Sequence, residues 1–74
     1  MPRTPRVTGS EVLRALLRDG WEEKGGKAHT ILRHPTKSGY VAVPRHHTKT
    51  LKVKTLRAIL DQAGLTTEEF LDLL

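Results

Sequence analysis

The chain has 74 residues, enough for one domain, and its thirteen Lys and Arg outnumber its eight Asp and Glu, giving a formal net charge of +5. It contains no cysteine, which excludes disulfides and thiolate metal sites and fits a cytoplasmic protein. No apolar run approaches the roughly 20 residues that cross a bilayer. The basic segment 1–8 is not followed by an apolar stretch, as a signal peptide would be. We therefore interpret it as a loose leader before a single domain over residues 9–74.

The first predicted element is a helix over residues 9–19. Thr8 and Glu11 have the spacing of a capping box, in which each side chain accepts a hydrogen bond from a backbone donor at the helix start. Apolar residues then recur at helical spacing, namely Val12, Leu13, Leu16 and Leu17. Gly20 follows where the helix C-terminus is expected.

Three short strands are predicted next, over residues 21–24, 27–34 and 40–43, with glycine-containing turns between them. Trp21 begins the first strand, and we expect it to pack in the core rather than to stack on nucleic-acid bases. Pro44 cannot donate a hydrogen bond to a strand ladder, so it is expected to end the third strand. Connections this short favour an antiparallel meander.

After a basic loop over residues 45–51, helical spacing returns at Leu56, Ile59, Leu60 and Ala63. Gly64 ends this helix, and Thr66 or Thr67 caps a short terminal helix whose apolar residues are expected to close the core. This order of elements predicts an α+β fold with a three-stranded antiparallel sheet covered on one face by helices. The other face of the sheet would stay open.

Positive charge is concentrated before residue 58. Residues 1–57 hold all thirteen basic side chains and four of the eight acidic ones, a net +9, whereas residues 58–74 carry a net −4. This distribution favours a nucleic-acid partner, because basic side chains that neutralise phosphates release counterions. The alternative is a solvated surface that serves only solubility. The cluster Lys49, Lys52, Lys54 and Arg57 fits both interpretations.

Four segments of the chain share their order and spacing with the motifs of one known family. Residues 26–35 resemble a second-strand motif G-G-S-H-H-I-F-R-H-P, and residues 40–46 resemble a third strand that ends in V-P-x-H. Residues 55–66 resemble the segment T-L-R-x-I-L-K-Q-A-G-L-S, and residues 17–21 are similar to the end of the family's first helix. With these matches the chain resembles the HicA toxins of type II toxin–antitoxin pairs.

The resemblance implies a fold, an activity and a partner. HicA toxins have a double-stranded-RNA-binding-like α-β-β-β-α fold and cleave mRNA without a ribosome, and a HicB antitoxin binds and masks them. No His, Cys, Asp or Glu cluster in the sequence has a recognised metal-ligand spacing, so we expect no metal and no small-molecule cofactor. The family's catalytic histidine, the first of its motif, falls on His29. Four positions depart from the family pattern: Lys27-Ala28 stand for Gly-Ser, Thr30 for the second His, and Lys54 for a glycine.

Cleavage of RNA without a metal ion uses the 2′-hydroxyl as an internal nucleophile. It needs a base for that proton, an acid for the leaving oxygen and cations near the phosphate. Histidine suits either proton-transfer role because it titrates close to neutral pH. From the residues alone, His29 is more simply explained as a polar strand residue without a catalytic role, and the resemblance is what selects it. The candidates for RNA contacts are Lys27, Arg33, Arg45, His46 and Lys49.

Other polar and aromatic residues have less specific interpretations. His34 and His47 are expected at the surface, and Tyr40 either stacks on a base or fills a strand position, of which we favour the second. The sequence leaves open which side chains of the second strand point to the helices. If Leu32 points to the helices, His29 points away from them. If Ile31 points to the helices, His29 does so as well.

Two other functions are consistent with the sequence. One is a non-catalytic RNA-binding module on the same fold, which would bind duplex RNA by its shape and phosphates. The other is a small basic protein that acts only through a protein partner. RNA cleavage distinguishes the toxin from both alternatives.

Overall fold

The computed structural model describes residues 5–44 and 49–74. In this part of the chain the elements are α1 (Gly9–Arg18), β1 (Glu22–Gly25), β2 (His29–Arg33), β3 (Val41–Pro44), α2 (Val53–Ala63) and α3 (Thr67–Leu73). Their order confirms the predicted α+β, double-stranded-RNA-binding-like fold. The predicted ends of the strands were less accurate. Pro44 is the last residue of β3 instead of the first beyond it, because β3 is an edge strand, where a missing backbone donor is tolerated.

The three strands form one antiparallel sheet in the order β1-β2-β3. Leu32 of β2 pairs with Val41 of β3, and both side chains are fully buried. Because successive side chains of a strand point to opposite faces, His29 and Arg33 project from the other face of the sheet. The structure therefore answers the question of facing that the sequence left open. We call this other surface the open face, and its residues on β2 and β3 are His29, Ile31, Arg33, Ala42 and Pro44.

The core lies between the sheet and the helices. Its largest buried side chains include Trp21, Phe70, Leu16, Leu32 and Leu56. Trp21 is therefore a core residue, as predicted, and Phe70 of α3 closes the core from the C-terminal side. None of the helices within the described ranges is both long and apolar enough to cross a membrane.

Helix α1 begins and ends as its sequence predicts. The Thr8 side chain accepts a hydrogen bond from the backbone of Glu11, and the Glu11 carboxylate accepts one from the backbone of Thr8. These hydrogen bonds from Thr8 lower the pKa of Glu11. At the other end, Gly20 has a φ of +100° and its backbone N–H donates to Leu17, which is the geometry of a Schellman motif.

The segment before α1 contributes to the fold. Val7 is only 4% exposed, and its carbonyl oxygen accepts a hydrogen bond of 2.8 Å from the backbone of Leu51. Thr8 forms an isolated bridge with Thr50. The last two residues of the predicted leader therefore pack with the folded part of the chain and connect it to the segment before α2.

Candidate active site on the open sheet face

His29 is the first residue of β2, and its side chain is exposed on the open face. Two glycines precede it, Gly25 with a φ of +100° and Gly26 with a φ of +116°, a region that residues with a Cβ rarely adopt. A Cβ atom at position 26 would overlap the carbonyl oxygen of His29. The position of His29 therefore depends on a close backbone approach that only glycine permits at position 26.

Basic side chains lie on both sides of His29 along the chain. Lys27 is exposed in the bend two residues before it, and Arg33 is exposed on the open face four residues after it. At about 3.3 Å per strand residue, Arg33 lies roughly 13 Å from His29 along β2. The other predicted RNA-binding residues are Lys49, which is exposed, and Arg45 and His46, which lie outside the described residues. His47 also lies outside them.

Tyr40 lies on the same side of the sheet as Arg33. The guanidinium carbon of Arg33 is 5.9 Å from the centroid of the Tyr40 ring, within the range of a cation–π contact. Tyr40 is 53% exposed and lies one residue before β3, just outside the strand that the structure assigns. The alternation of side chains along β3 indicates the face of Tyr40. Val41 and Val43 are buried against the core, so residue 40 projects from the open face.

His34 is not the surface residue that the sequence suggested. It is half-buried, and its Nε2 lies 2.8 Å from the carbonyl oxygen of Asp19. Its Nδ1 accepts hydrogen bonds from the backbone N–H groups of Thr36 and Lys37, so Nε2 carries the proton and donates to Asp19. His34 therefore connects the turn after β2 to the end of α1, and it does not belong to the site around His29.

A second set of contacts stabilises the same region. The Lys37 ammonium donates to the Asp19 carboxylate and to the carbonyl oxygen of Ala63, both at 2.9 Å. The Trp21 indole donates to the same carboxylate at 3.2 Å, and its ring meets His34 edge-on at a centroid distance of 5.2 Å. Lys37 thus acts within the fold, between the ends of α1 and α2.

The N-terminal end of α2 carries positive charge without acidic compensation. Lys52 is the N-cap residue and makes no side-chain capping hydrogen bond, Lys54 lies in the first turn, and no acidic residue occurs there. A helix N-terminus has a partial positive charge, so cations at this end repel it and an anionic partner would relieve that repulsion.

A metal centre is not apparent in the described part of the chain. Within residues 5–44 and 49–74, no three His, Cys, Asp or Glu side chains lie close enough to hold a metal ion together.

The chain matches the sequence model of a known protein family over most of its length. Residues 9–65, which include α1, the whole sheet and α2, match the sequence model of a family described as "HicA toxin of bacterial toxin-antitoxin". A search of curated proteins found no match to the chain. The family match covers His29, Lys27 and Arg33 together with the glycine pair.

Proposed function

Since this chain belongs to the HicA toxin family of bacterial toxin–antitoxin systems, we propose that it is an endoribonuclease that cleaves mRNA without a ribosome, with His29 as its catalytic residue. The observation that carries the proposal is the exposure of His29 on the open face, three residues after the glycine pair Gly25-Gly26. The helices pack against the opposite face, so a polynucleotide can reach the imidazole from solvent.

In the proposed reaction, His29 accepts the proton of a ribose 2′-hydroxyl while that oxygen attacks the adjacent phosphorus. The O2′–P bond forms as the P–O5′ bond breaks. The leaving oxygen takes up a proton and becomes a 5′-hydroxyl, and the upstream fragment ends in a 2′,3′-cyclic phosphate. No water or metal ion enters this step as a nucleophile or Lewis acid, so we propose that cleavage is metal-independent.

Cationic side chains would hold the RNA and offset the negative charge that grows on the phosphate. Lys27 is the nearest to His29 along the chain, and it occupies a position where the family motif has glycine. Arg33 lies further along the open face. We propose that these two contact phosphates, together with Arg45, His46 and Lys49. The uncompensated charge at the start of α2 supports an anionic partner.

Membership of a toxin–antitoxin family implies an antitoxin partner. We propose that this partner is a HicB-like protein that neutralises the toxin by covering His29, and that the pair acts in the cytoplasm, where mRNA is translated. Co-expression tests the first part: a HicB-like protein should restore growth to cells that produce the wild-type chain.

The direct test uses purified wild-type protein and His29→Ala with a labelled single-stranded RNA in EDTA. The wild type should cleave, leaving 5′-hydroxyl and 2′,3′-cyclic phosphate ends, and His29→Ala should cleave about 10²- to 10⁴-fold more slowly, as expected for loss of a general base. A 2′-deoxy nucleotide before the scissile bond should block cleavage. Glu68→Ala, an exposed change on α3, is the control for handling.

Two results would contradict the proposal in different ways. If both proteins cleave equally, His29 is not the catalytic residue. If the folded wild type binds RNA without cleaving it, the chain is a non-catalytic RNA-binding module on the same fold.

A further inference from the structure

We propose that Tyr40 and Arg33 form a subsite that stacks on an unpaired base of a single-stranded RNA. The proposal rests on the proposed function, because it names how the substrate would lie on the open face beside His29. The subsite gives a role to Tyr40, whose side chain is not part of the core cluster. The occupant is a nucleobase attached to a chain of phosphates.

Geometry brings the two side chains together. Leu32 pairs with Val41, and one step further along the same register brings Arg33 opposite Tyr40. Since Leu32 and Val41 face the core, their neighbours Arg33 and Tyr40 both project from the open face. The 5.9 Å between the guanidinium carbon and the ring centroid shows that they meet there.

The exposure of Tyr40 points to a ligand. Tyr40 is 53% exposed and lies outside the core cluster, so the core does not need an aromatic residue at this position. A single cation–π contact between exposed groups stabilises a fold only weakly. The arrangement does suit a base, because bases stack on aromatic rings and on guanidinium planes whatever their sequence.

The charges around the subsite suit a polynucleotide. Arg33 supplies a cation next to the ring, where it can also contact a phosphate. Glu22 pairs with Arg33 in the β1–β2 register, but its carboxylate is engaged by Lys24 at 3.2 Å on its own strand. The acidic side chain is thus compensated locally, and the subsite keeps the positive charge of Arg33.

The distance between His29 and Arg33 places base stacking and cleavage at different nucleotides of a bound RNA. His29 and Arg33 lie four residues apart on β2, or roughly 13 Å at 3.3 Å per residue. A strand of RNA laid along β2 would therefore stack one base on Tyr40 while a different nucleotide presents its 2′-hydroxyl to His29. Duplex RNA cannot use the subsite, because its bases are already paired and stacked within the helix.

The test measures binding and stacking separately from cleavage, in the His29→Ala protein. The probes are a single-stranded RNA that contains 2-aminopurine, which loses fluorescence when it stacks, and a duplex of the same sequence. Adding Tyr40→Ala should weaken single-strand binding about tenfold and remove the fluorescence change, while duplex binding stays the same. Tyr40→Phe should preserve both. Leu17→Ala, which removes a 45%-exposed side chain on α1, is the matched control and should change neither.

Several outcomes distinguish this subsite from the proposed function. Unchanged single-strand binding in Tyr40→Ala would overturn the subsite, and so would an equal loss for single strand and duplex. If His29→Ala abolishes cleavage while Tyr40→Ala affects neither binding nor cleavage, the proposed function stands and the subsite fails. If the wild type does not cleave but Tyr40 is needed for the fluorescence change, the subsite stands without the nuclease. A Tyr40 that serves only an antitoxin would leave RNA binding intact, which also overturns it.

Discussion

Gly26 approaches the carbonyl oxygen of His29 so closely that a Cβ atom at position 26 would overlap it. The position of the proposed catalytic residue is therefore set by a residue that has no side chain. The sequence suggested only a turn at this point, whereas the structure shows a specific contact between the turn and the first residue of β2.

Gly26→Ala should impair cleavage more than Gly25→Ala. Both glycines have positive φ, so alanine at either position introduces backbone strain of about 1–3 kcal/mol. Only at position 26 must the chain also move away from His29, since nothing lies within 4 Å of a Cβ at position 25. Urea unfolding and RNA cleavage measured on both variants give the comparison, and equal activity in the two would show that the contact does not matter for the site.

The two histidines at the ends of the β2 segment should behave oppositely on substitution. His34→Ala removes the donor to Asp19 and the acceptor for two backbone N–H groups, so it should lower the free energy of unfolding by about 1–3 kcal/mol. His29→Ala changes an exposed side chain and should alter it by less than about 0.5 kcal/mol. Urea denaturation monitored by Trp21 fluorescence measures both, and equal destabilisation would contradict the structural role of His34.

Local signals predicted the helices well. Thr8 and Glu11 gave the start of α1, and Gly64 gave the end of α2 in a left-handed conformation. The facing of β2 was harder, since Ile31 and Leu32 are both apolar and strand periodicity alone allows either to face the core. Only pairing with Val41 in a folded sheet decides between them.

The contacts that hold the turn after β2 were not predicted, because they join residues far apart in the chain. His34 meets Asp19 fifteen residues away, and Lys37 reaches Ala63 across twenty-six, so spacing along the chain cannot reveal either contact. His29 was selected by resemblance to a family, since the residue types around it also suit an ordinary polar strand. The alternation of β3 indicated the face of Tyr40, but nothing in the sequence predicted its contact with Arg33.

The capping boxes should make the protein less stable in acid. Hydrogen bonds from Thr8 lower the pKa of Glu11, and hydrogen bonds from Thr66 lower the pKa of Glu69. A carboxyl group whose pKa is lower in the folded than in the unfolded state stabilises the fold above its unfolded pKa, and this contribution is lost as pH falls through the folded pKa.

The matching experiment compares Tm values of the wild type and of Glu11→Gln/Glu69→Gln between pH 7 and pH 2. Glutamine keeps an acceptor for the capping hydrogen bond but cannot ionise. The wild type should be the more stable above about pH 5, and the difference should shrink below the ordinary glutamate range near about pH 4.3. A difference in Tm that stays constant between pH 7 and pH 2 would mean that ionisation of Glu11 and Glu69 does not stabilise the fold.

RNA affinity should fall steeply as the salt concentration rises, and Lys27 and Arg33 should each account for part of this dependence. For single-stranded RNA, each phosphate contact contributes about 0.7 to the slope of log K against log salt concentration. Lys27→Ala and Arg33→Ala should each reduce the slope by about that amount, because both cations are exposed near the open face. Arg18→Ala is the matched control, since its guanidinium donates to the carbonyl oxygen of Leu73 on the helical side. The slopes are measured by binding titrations from low to high salt. If Arg18→Ala lowers the slope as much as Arg33→Ala, the RNA contacts are not confined to the open face. If no variant lowers the slope, Lys27 and Arg33 do not contact phosphates.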